Sequence, residues 1–202
     1  MRIALFGGTF DPIHEAHLKI AREAGKQFHL DRVLLIPAAR PPHKEGVTRT
    51  SYEHRFRMVE IACQREPLCQ TSRLDEGGGS SYSISTIQRA RAGLRPHDQL
   101  FFLIGADAFA EIRTWHRWRE VVNAVEFIVV NRPGAQFQPI EGVRVHRLDG
   151  VNLDVSSSEI RRKLAAGEPV AELSPGVREY IRRNDLYRET ASDEGDHVNL
   201  NQ

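Results

Sequence analysis

The stretch GGTFDPIHEAH, residues 7–17, sets two glycines, a proline and two histidines within one short segment. Glycines let backbone N–H groups come close to an anion, and a following helix start adds the positive end of its dipole. Pro12 has no N–H and suits a turn that enters a helix. His14 and His17, spaced i and i+3, project from one face of that helix start. Together these residue types suit phosphate binding, as a backbone cradle with two imidazole donors. A zinc helix would need H-E-x-x-H, and this stretch reads HEAH. The G-x-x-x-x-G-K-[ST] phosphate loop is absent as well.

A second cluster lies near the other end of the chain, in VSSSEIR, residues 155–161. Ser156 with Glu159 reads as a helix cap. Ser157, Ser158 and Arg161 then add two hydroxyls and a guanidinium to a helix N-terminus, a setting for the β- and γ-phosphates of a nucleotide. PPHK, residues 41–44, places Lys44 in the loop after the second strand, as a mobile point charge for phosphates.

These groups need a scaffold. Apolar runs at Ile3–Phe6, Val33–Ile36, Phe101–Ile104 and Phe127–Val130 each meet Gly, Pro or Asn at one end, the mark of buried strands. Runs without alternation predict a parallel sheet covered on both faces; Val143–Arg147 is a weaker strand candidate. Leu18, Ala21, Gly25 and Phe28 continue the helical face of His14 and His17. Thr50 with Glu53 predicts a capping box for a helix running towards Arg65, Ser156 opens one to Ala166, and Ser174–Pro175 opens a third. The alternation predicts an α/β fold: a Rossmann-like doubly wound parallel sheet with helices on both faces and a small C-terminal helical part. In such sheets ligands sit beyond the carboxyl ends of strands, where residues 7–13 fall. Residues 41–49, 75–81 and 132–139 read as loops. From Glu189 the chain carries four acids and no Lys or Arg, which predicts a disordered acidic tail over 189–202.

Composition narrows the partners. The chain has 202 residues with a net charge of +1, so no global field favours nucleic acid or a membrane surface. No apolar run approaches the ~18 residues of a membrane span. Cys63 and Cys69 give neither a disulfide framework nor a metal spacing, and a cytoplasmic location is expected. Nothing selects between monomer and homo-oligomer.

GGTFDPIHEAH resembles the H-x-G-H element of the nucleotidyltransferase α/β-phosphodiesterase superfamily, with Ala16 in the Gly position; VSSSEIR resembles its I-S-S-T-x-I-R element, with Ser158 in the Thr position. PPHK, SYSIST (81–86), IGADAF (104–109), TWHRW (114–118), NRPG (131–134) and the closing SPGVREYIRRNDLY (174–187) follow in order. This series resembles the bacterial nicotinate-nucleotide adenylyltransferase family from Met1 to about Arg188, one nucleotidyltransferase domain over 1–188. The resemblance implies transfer of AMP from ATP to nicotinate mononucleotide, giving nicotinate adenine dinucleotide and pyrophosphate in NAD biosynthesis. It implies catalytic roles for His14, His17, Lys44 and Arg161. ATP would be held by Gly7, Gly8, Thr9, Phe10, His14, His17, Gly105, Asp107, Arg132, Ser156, Ser157, Ser158 and Arg161. The nicotinate nucleotide would meet Thr9, Lys44, Ser83, Trp115 and His116, with Trp115 stacked on the ring and Trp118 in the core. Mg²⁺ would be held mainly through the ATP phosphates. Alternatives are an adenylyltransferase for another acceptor (nicotinamide mononucleotide, phosphopantetheine) and a non-catalytic nucleotide sensor on the same fold.

Overall fold

The computed structural model describes residues 1–40, 48–76, 80–131, 137–151 and 155–188. Its strands are β1 (Arg2–Gly8), β2 (Arg32–Pro37), β3 (Cys69–Thr71), β4 (Gln99–Gly105), β5 (Glu126–Val130) and β6 (Val145–Leu148). Its helices are α1 (Glu15–Phe28), α2 (Tyr52–Cys63), α3 (Ser83–Ala92), α4 (Ala106–Ala110), α5 (Trp118–Ala124), α6 (Ser157–Ala165) and α7 (Pro175–Arg183). Among the described residues the strands form one parallel sheet in the order β3-β2-β1-β4-β5-β6. The chain winds outward from β1 in one direction and from β4 in the other, so the topology switches between them.

Alternate residues of each strand bury opposite faces. Ala4, Phe6, Val33, Leu35 and Ile128 pack under α1, α2, α6 and α7 through Leu18, Met58, Ile160 and Ile181. Ile3, Leu5, Phe102, Phe127 and Val129 pack under α3, α4 and α5 through Ile87, Phe109 and Val121. Both faces are covered, as the unbroken apolar runs predict.

The expected strands are all present, including the weaker candidate, now β6. β3 is an addition, with only three residues, CQT, too short to carry a periodic signal. Helix starts at Ser156 and Ser174 are as predicted: Ser156 Oγ accepts from Glu159 N at 3.2 Å, and Ser174 Oγ from Val177 N at 3.4 Å with Pro175 in first position. The start of α2 is corrected by one residue. Ser51 is its cap, accepting from His54 N at 3.3 Å, because the Thr50 hydroxyl turns away to Asp11 Oδ1 at 2.7 Å. Glu53 pairs with Arg73 at 3.0 Å instead of closing a box. Most of the three expected loops and the tail from Glu189 lie outside the described residues.

Candidate active site

The strand pairing makes the site. β1 pairs with β2 as far as Gly8↔Pro37, but its register with β4 runs only from Arg2↔Gln99 to Leu5↔Phe102. Beyond Leu5 the two strands part at the topological switch point, where open α/β sheets bind ligands. The gap is a cavity of about 300 Å³. Gly7 and Gly8 line it from β1, Thr9 from the loop that follows, Gly105 from β4, Ser83 and Thr86 from α3, and Trp115 from the segment before α5. A Cβ at Gly105 would meet no atom within 4 Å, so the glycine leaves open space where a ligand could lie. Trp115 packs its edge against Phe102, with centroids 6.0 Å apart and planes at 72°, and remains half-buried.

Residues 9–13 carry the chain from β1 into α1 and are tied down at many atoms. Arg55 Nη1 donates to Thr9 O at 2.7 Å, Arg161 Nη1 to Asp11 O at 2.7 Å and Ser157 Oγ to Pro12 O at 3.1 Å. Three carbonyls of the loop thus face protein donors, two of them cationic. The Asp11 side chain, 2% exposed, accepts from Arg49 N (2.8 Å), Thr50 Oγ1 (2.7 Å) and Tyr187 Oη (2.6 Å). Burial and the Asp11 charge push the Tyr187 phenol above its ordinary pKa, so it remains a donor.

Phe10 takes φ 49° and turns its ring inward, edge-on to Phe6 at 5.8 Å and to His17 at 5.0 Å. A Cβ on Gly8 would lie 2.9 Å from that ring, so the second glycine is required by packing. The Phe10 side chain is therefore a buried floor beneath the imidazoles rather than a cavity wall.

His14 is the N-cap residue of α1, 6% exposed, and its ring lies against that of His17 with centroids 3.9 Å apart and planes tilted by 35°. Its backbone N donates to His17 Nδ1 at 3.3 Å, and His17 N donates back to His14 O at 3.0 Å. With Nδ1 accepting, neutral His17 carries its proton on Nε2, which makes Nε2 the donor. The two histidines are thus placed together by the helix cap.

At the start of α6, Ser156 serves the helix as cap and Ser157 holds Pro12, while Ser158 is exposed and accepts from Arg161 Nη2 at 3.2 Å. Arg161 therefore links this helix to the opening loop. Among the expected site residues, the cavity gathers Gly7, Gly8, Thr9, Ser83, Gly105 and Trp115. His14, His17 and the α6 residues sit beside it along the opening loop and do not line it. Asp107 is exposed on α4. His116 is also exposed and stacks on Tyr82 at 4.3 Å, outside the cavity wall. Trp118 is half-buried, with the Arg119 guanidinium 4.7 Å from its ring, a cation–π shelf rather than a fully buried core residue. Lys44 and Arg132 lie outside the described residues.

Four polar groups of the site gave no sequence signal of their own. Asp11, Arg55 and Tyr187 hold the opening loop. Asp75, 8% exposed, accepts from Ala39 N at 2.9 Å and Thr86 Oγ1 at 3.0 Å on the cavity wall. Asp11 lies inside GGTFDPIHEAH and Tyr187 closes SPGVREYIRRNDLY, but neither residue type carried a signal there. Among the described residues no group of three or more His, Cys, Asp or Glu could hold a metal ion. None of the described helices is long and apolar enough to cross a membrane.

A parallel sheet with a switch-point cavity beside helix starts is the arrangement of a nucleotide-binding α/β protein. The cytidylyltransferase-like family model matches residues 5–163. The chain is 56% identical over 187 residues to a "probable nicotinate-nucleotide adenylyltransferase" of Solibacter usitatus, covering 93% of this chain and 100% of the relative. A protein of the same description from Citrifermentans bemidjiense is 40% identical over 214 residues, covering 93% and 98%. Nicotinic acid mononucleotide adenylyltransferase of Plasmodium falciparum, solved in complex with NaAD, superposes with a TM-score of 0.75 at 19% identity, covering 92% of this chain and 97% of that one, a likeness of fold. The chain belongs to the nicotinate-nucleotide adenylyltransferase family, within the cytidylyltransferase-like nucleotidyltransferases.

Proposed function

We propose that the protein transfers the adenylyl group of ATP to the phosphate of nicotinate mononucleotide, releasing pyrophosphate and giving nicotinate adenine dinucleotide for NAD biosynthesis, with residues 1–188 as the nucleotidyltransferase unit. The observation that carries the reading is the parting of β1 and β4, which opens a cavity between a half-buried tryptophan and a pinned loop ending in two adjacent imidazoles. At about 300 Å³ the cavity sits at the lower end of the range for small-ligand sites. It suits part of a dinucleotide, with the phosphates extending out along the loop.

An oxygen of the acceptor phosphate attacks the α-phosphorus of ATP in line. The α-phosphorus–oxygen bond to the β-phosphate breaks, and that electron pair leaves with pyrophosphate. The attacking phosphate is already ionised, so no protein base is required, and catalysis is positioning and charge stabilisation. His17, through Nε2–H, and His14 donate to the phosphates undergoing transfer. Ser158, Arg161 and the start of α6 hold the β- and γ-phosphates, with Arg132 and Lys44 completing the positive surround. Gly7, Gly8 and Thr9 bring backbone close to the nucleotide, and Gly105 and Asp107 flank the adenosine. Trp115 stacks on the nicotinate ring, with Ser83 and His116 near its carboxylate. Mg²⁺, held mainly through the ATP phosphates, would supply neutralisation of phosphate charge.

The test is pyrophosphate release with Mg-ATP and a panel of acceptors. Fast release with nicotinate mononucleotide, and much slower release with the nicotinamide compound, is the expected result. A preference for phosphopantetheine would overturn the acceptor assignment and the role of Trp115. Bound ATP with no release for any acceptor would establish a sensor instead.

A further inference from the structure

Arg55 has no part in the chemistry above, yet it is among the most deeply buried charged side chains, at 2% exposure. Its two terminal nitrogens serve different loops: Nη1 donates to Thr9 O at 2.7 Å and Nη2 to Ala38 O at 2.8 Å. These loops leave β1 and β2 just where the strand ladder ends. The last registered pair is Gly8↔Pro37, and Ala38 N still donates to Gly8 O at 2.9 Å. One step further on, Thr9 and Ala38 each present a carbonyl to this side, and two acceptors cannot pair with each other. A planar guanidinium with parallel donors satisfies both and continues the ladder through a side chain.

The cost of this device argues that it has a use. Burial pulls the Arg55 pKa below its ordinary value, and the Asp11 carboxylate is the main charge that offsets it. A neutral donor could close two carbonyls without that penalty. Thr9 and Ala38 both line the cavity. The Ala38 loop is fixed on its far side by Asp75, which accepts from Ala39 N at 2.9 Å, and by Ser81, whose Oγ accepts from Arg40 N at 2.8 Å. Arg55 joins the start of this loop to the opening loop, whereas Asp11 joins the opening loop to the far end of it, at Arg49 N and Thr50 Oγ1.

Resting on the function proposed above, we propose that Arg55 is a positioning residue that sets the spacing of the two loops at the acceptor end of the cavity, and that its loss weakens acceptor binding selectively. It touches no reacting atom. Arg55→Lys keeps a charge but cannot span both carbonyls with a planar fork; Arg55→Met removes the donors. Because misplacement by an ångström is costly, KM for nicotinate mononucleotide should rise about tenfold or more in Arg55→Lys, with KM for ATP within about threefold of wild type. Hydrogen exchange at residues 38–40 should quicken in the same variant while the core amides of β4 keep their protection. Unchanged acceptor KM in an active, folded variant would overturn the assignment. So would equal loss of affinity for both substrates, or collapse of the fold in both variants, either of which would make Arg55 a purely structural support. A wild-type protein inactive with nicotinate mononucleotide would instead overturn the function on which this rests.

Discussion

Two regions at the carboxyl end of the sheet offer groups for phosphates, and they are held in opposite ways. The opening loop is built from outside: Arg55 comes from α2, Arg161 and Ser157 from α6, and Tyr187 from beyond α7. The start of α6 is largely self-sufficient, with Ser156 capping Glu159 N and Arg162 paired to Glu159 at 2.9 Å on the same helix. The difference teaches where precision is needed. On the proposed mechanism, a loop that must hold two imidazoles against a reacting phosphorus is preorganised by distant parts of the chain. On the same proposal, a helix start that holds a leaving group can rely on local caps and a dipole.

The comparison breaks first at His17. In comparable sites one donor to the transition state is worth about 10²- to 10³-fold in turnover. His17→Ala should lose at least that much kcat with the fold intact by circular dichroism. A near-normal rate would move the chemistry away from the opening loop and leave α6 as the principal phosphate site. The next largest effect belongs to Arg161, which spans the two regions through Asp11 O and Ser158 Oγ. Arg161→Ala should reduce kcat roughly 10- to 100-fold, since it removes both a cation near the phosphates and a clamp on the loop. Arg161→Lys restores charge without the forked geometry, so partial rescue would measure how much of the effect is charge alone. Steady-state rates with both variants decide this.

Much of this site was legible in the residues, and the remainder was not for definable reasons. The glycines, the paired histidines and the seryl helix start are strings whose types and spacing carry chemistry, and the switch point followed from apolar runs that end in Gly or Pro. Arg55 was not legible. In YEHRFRMVEIAC it sits among other charged residues at helical spacing, and no local pattern separates a buried guanidinium from a solvated one. Tyr187 meets Asp11 across 176 positions, a contact that periodicity cannot express. Thr50 failed as a cap for the same reason, because a distant carboxylate claims its hydroxyl. α3 was hidden by Thr86, which interrupts its apolar stripe yet is buried because Asp75 accepts its hydroxyl proton. In each case a long-range polar contact overrode a local preference.

Tyr187 makes that contact measurable. Tyr187→Phe should cost about 1.5–3 kcal/mol of stability, the range for a hydrogen bond to a charged group. Turnover should fall only severalfold, because Arg49 N and Thr50 still hold Asp11. The pH dependence has a definite sign. The folded-state pKa is raised, so the folded protein keeps a proton that the unfolded chain releases above about pH 10. Stability from this group is present below that value and is lost as pH rises beyond it. Denaturant titrations from pH 8 to 11 should show that loss in wild type and a smaller one in Tyr187→Phe.

The smallest effect should come from the self-sufficient region. Ser156 is exposed and accepts one hydrogen bond, from Glu159 N at 3.2 Å. Replacing a seryl N-cap by alanine costs about 1 kcal/mol. Ser156→Ala should therefore lower stability by about that amount in a urea titration, and Ser156→Gly by only a few tenths. If the region is as locally built as its contacts indicate, KM for ATP should rise no more than about threefold, since Ser158, Arg161 and the helix dipole remain. A loss of ATP affinity comparable to that of Arg161→Ala would mean that the Ser156 hydroxyl leaves its cap to hold phosphate, and the contrast between the two regions would then disappear.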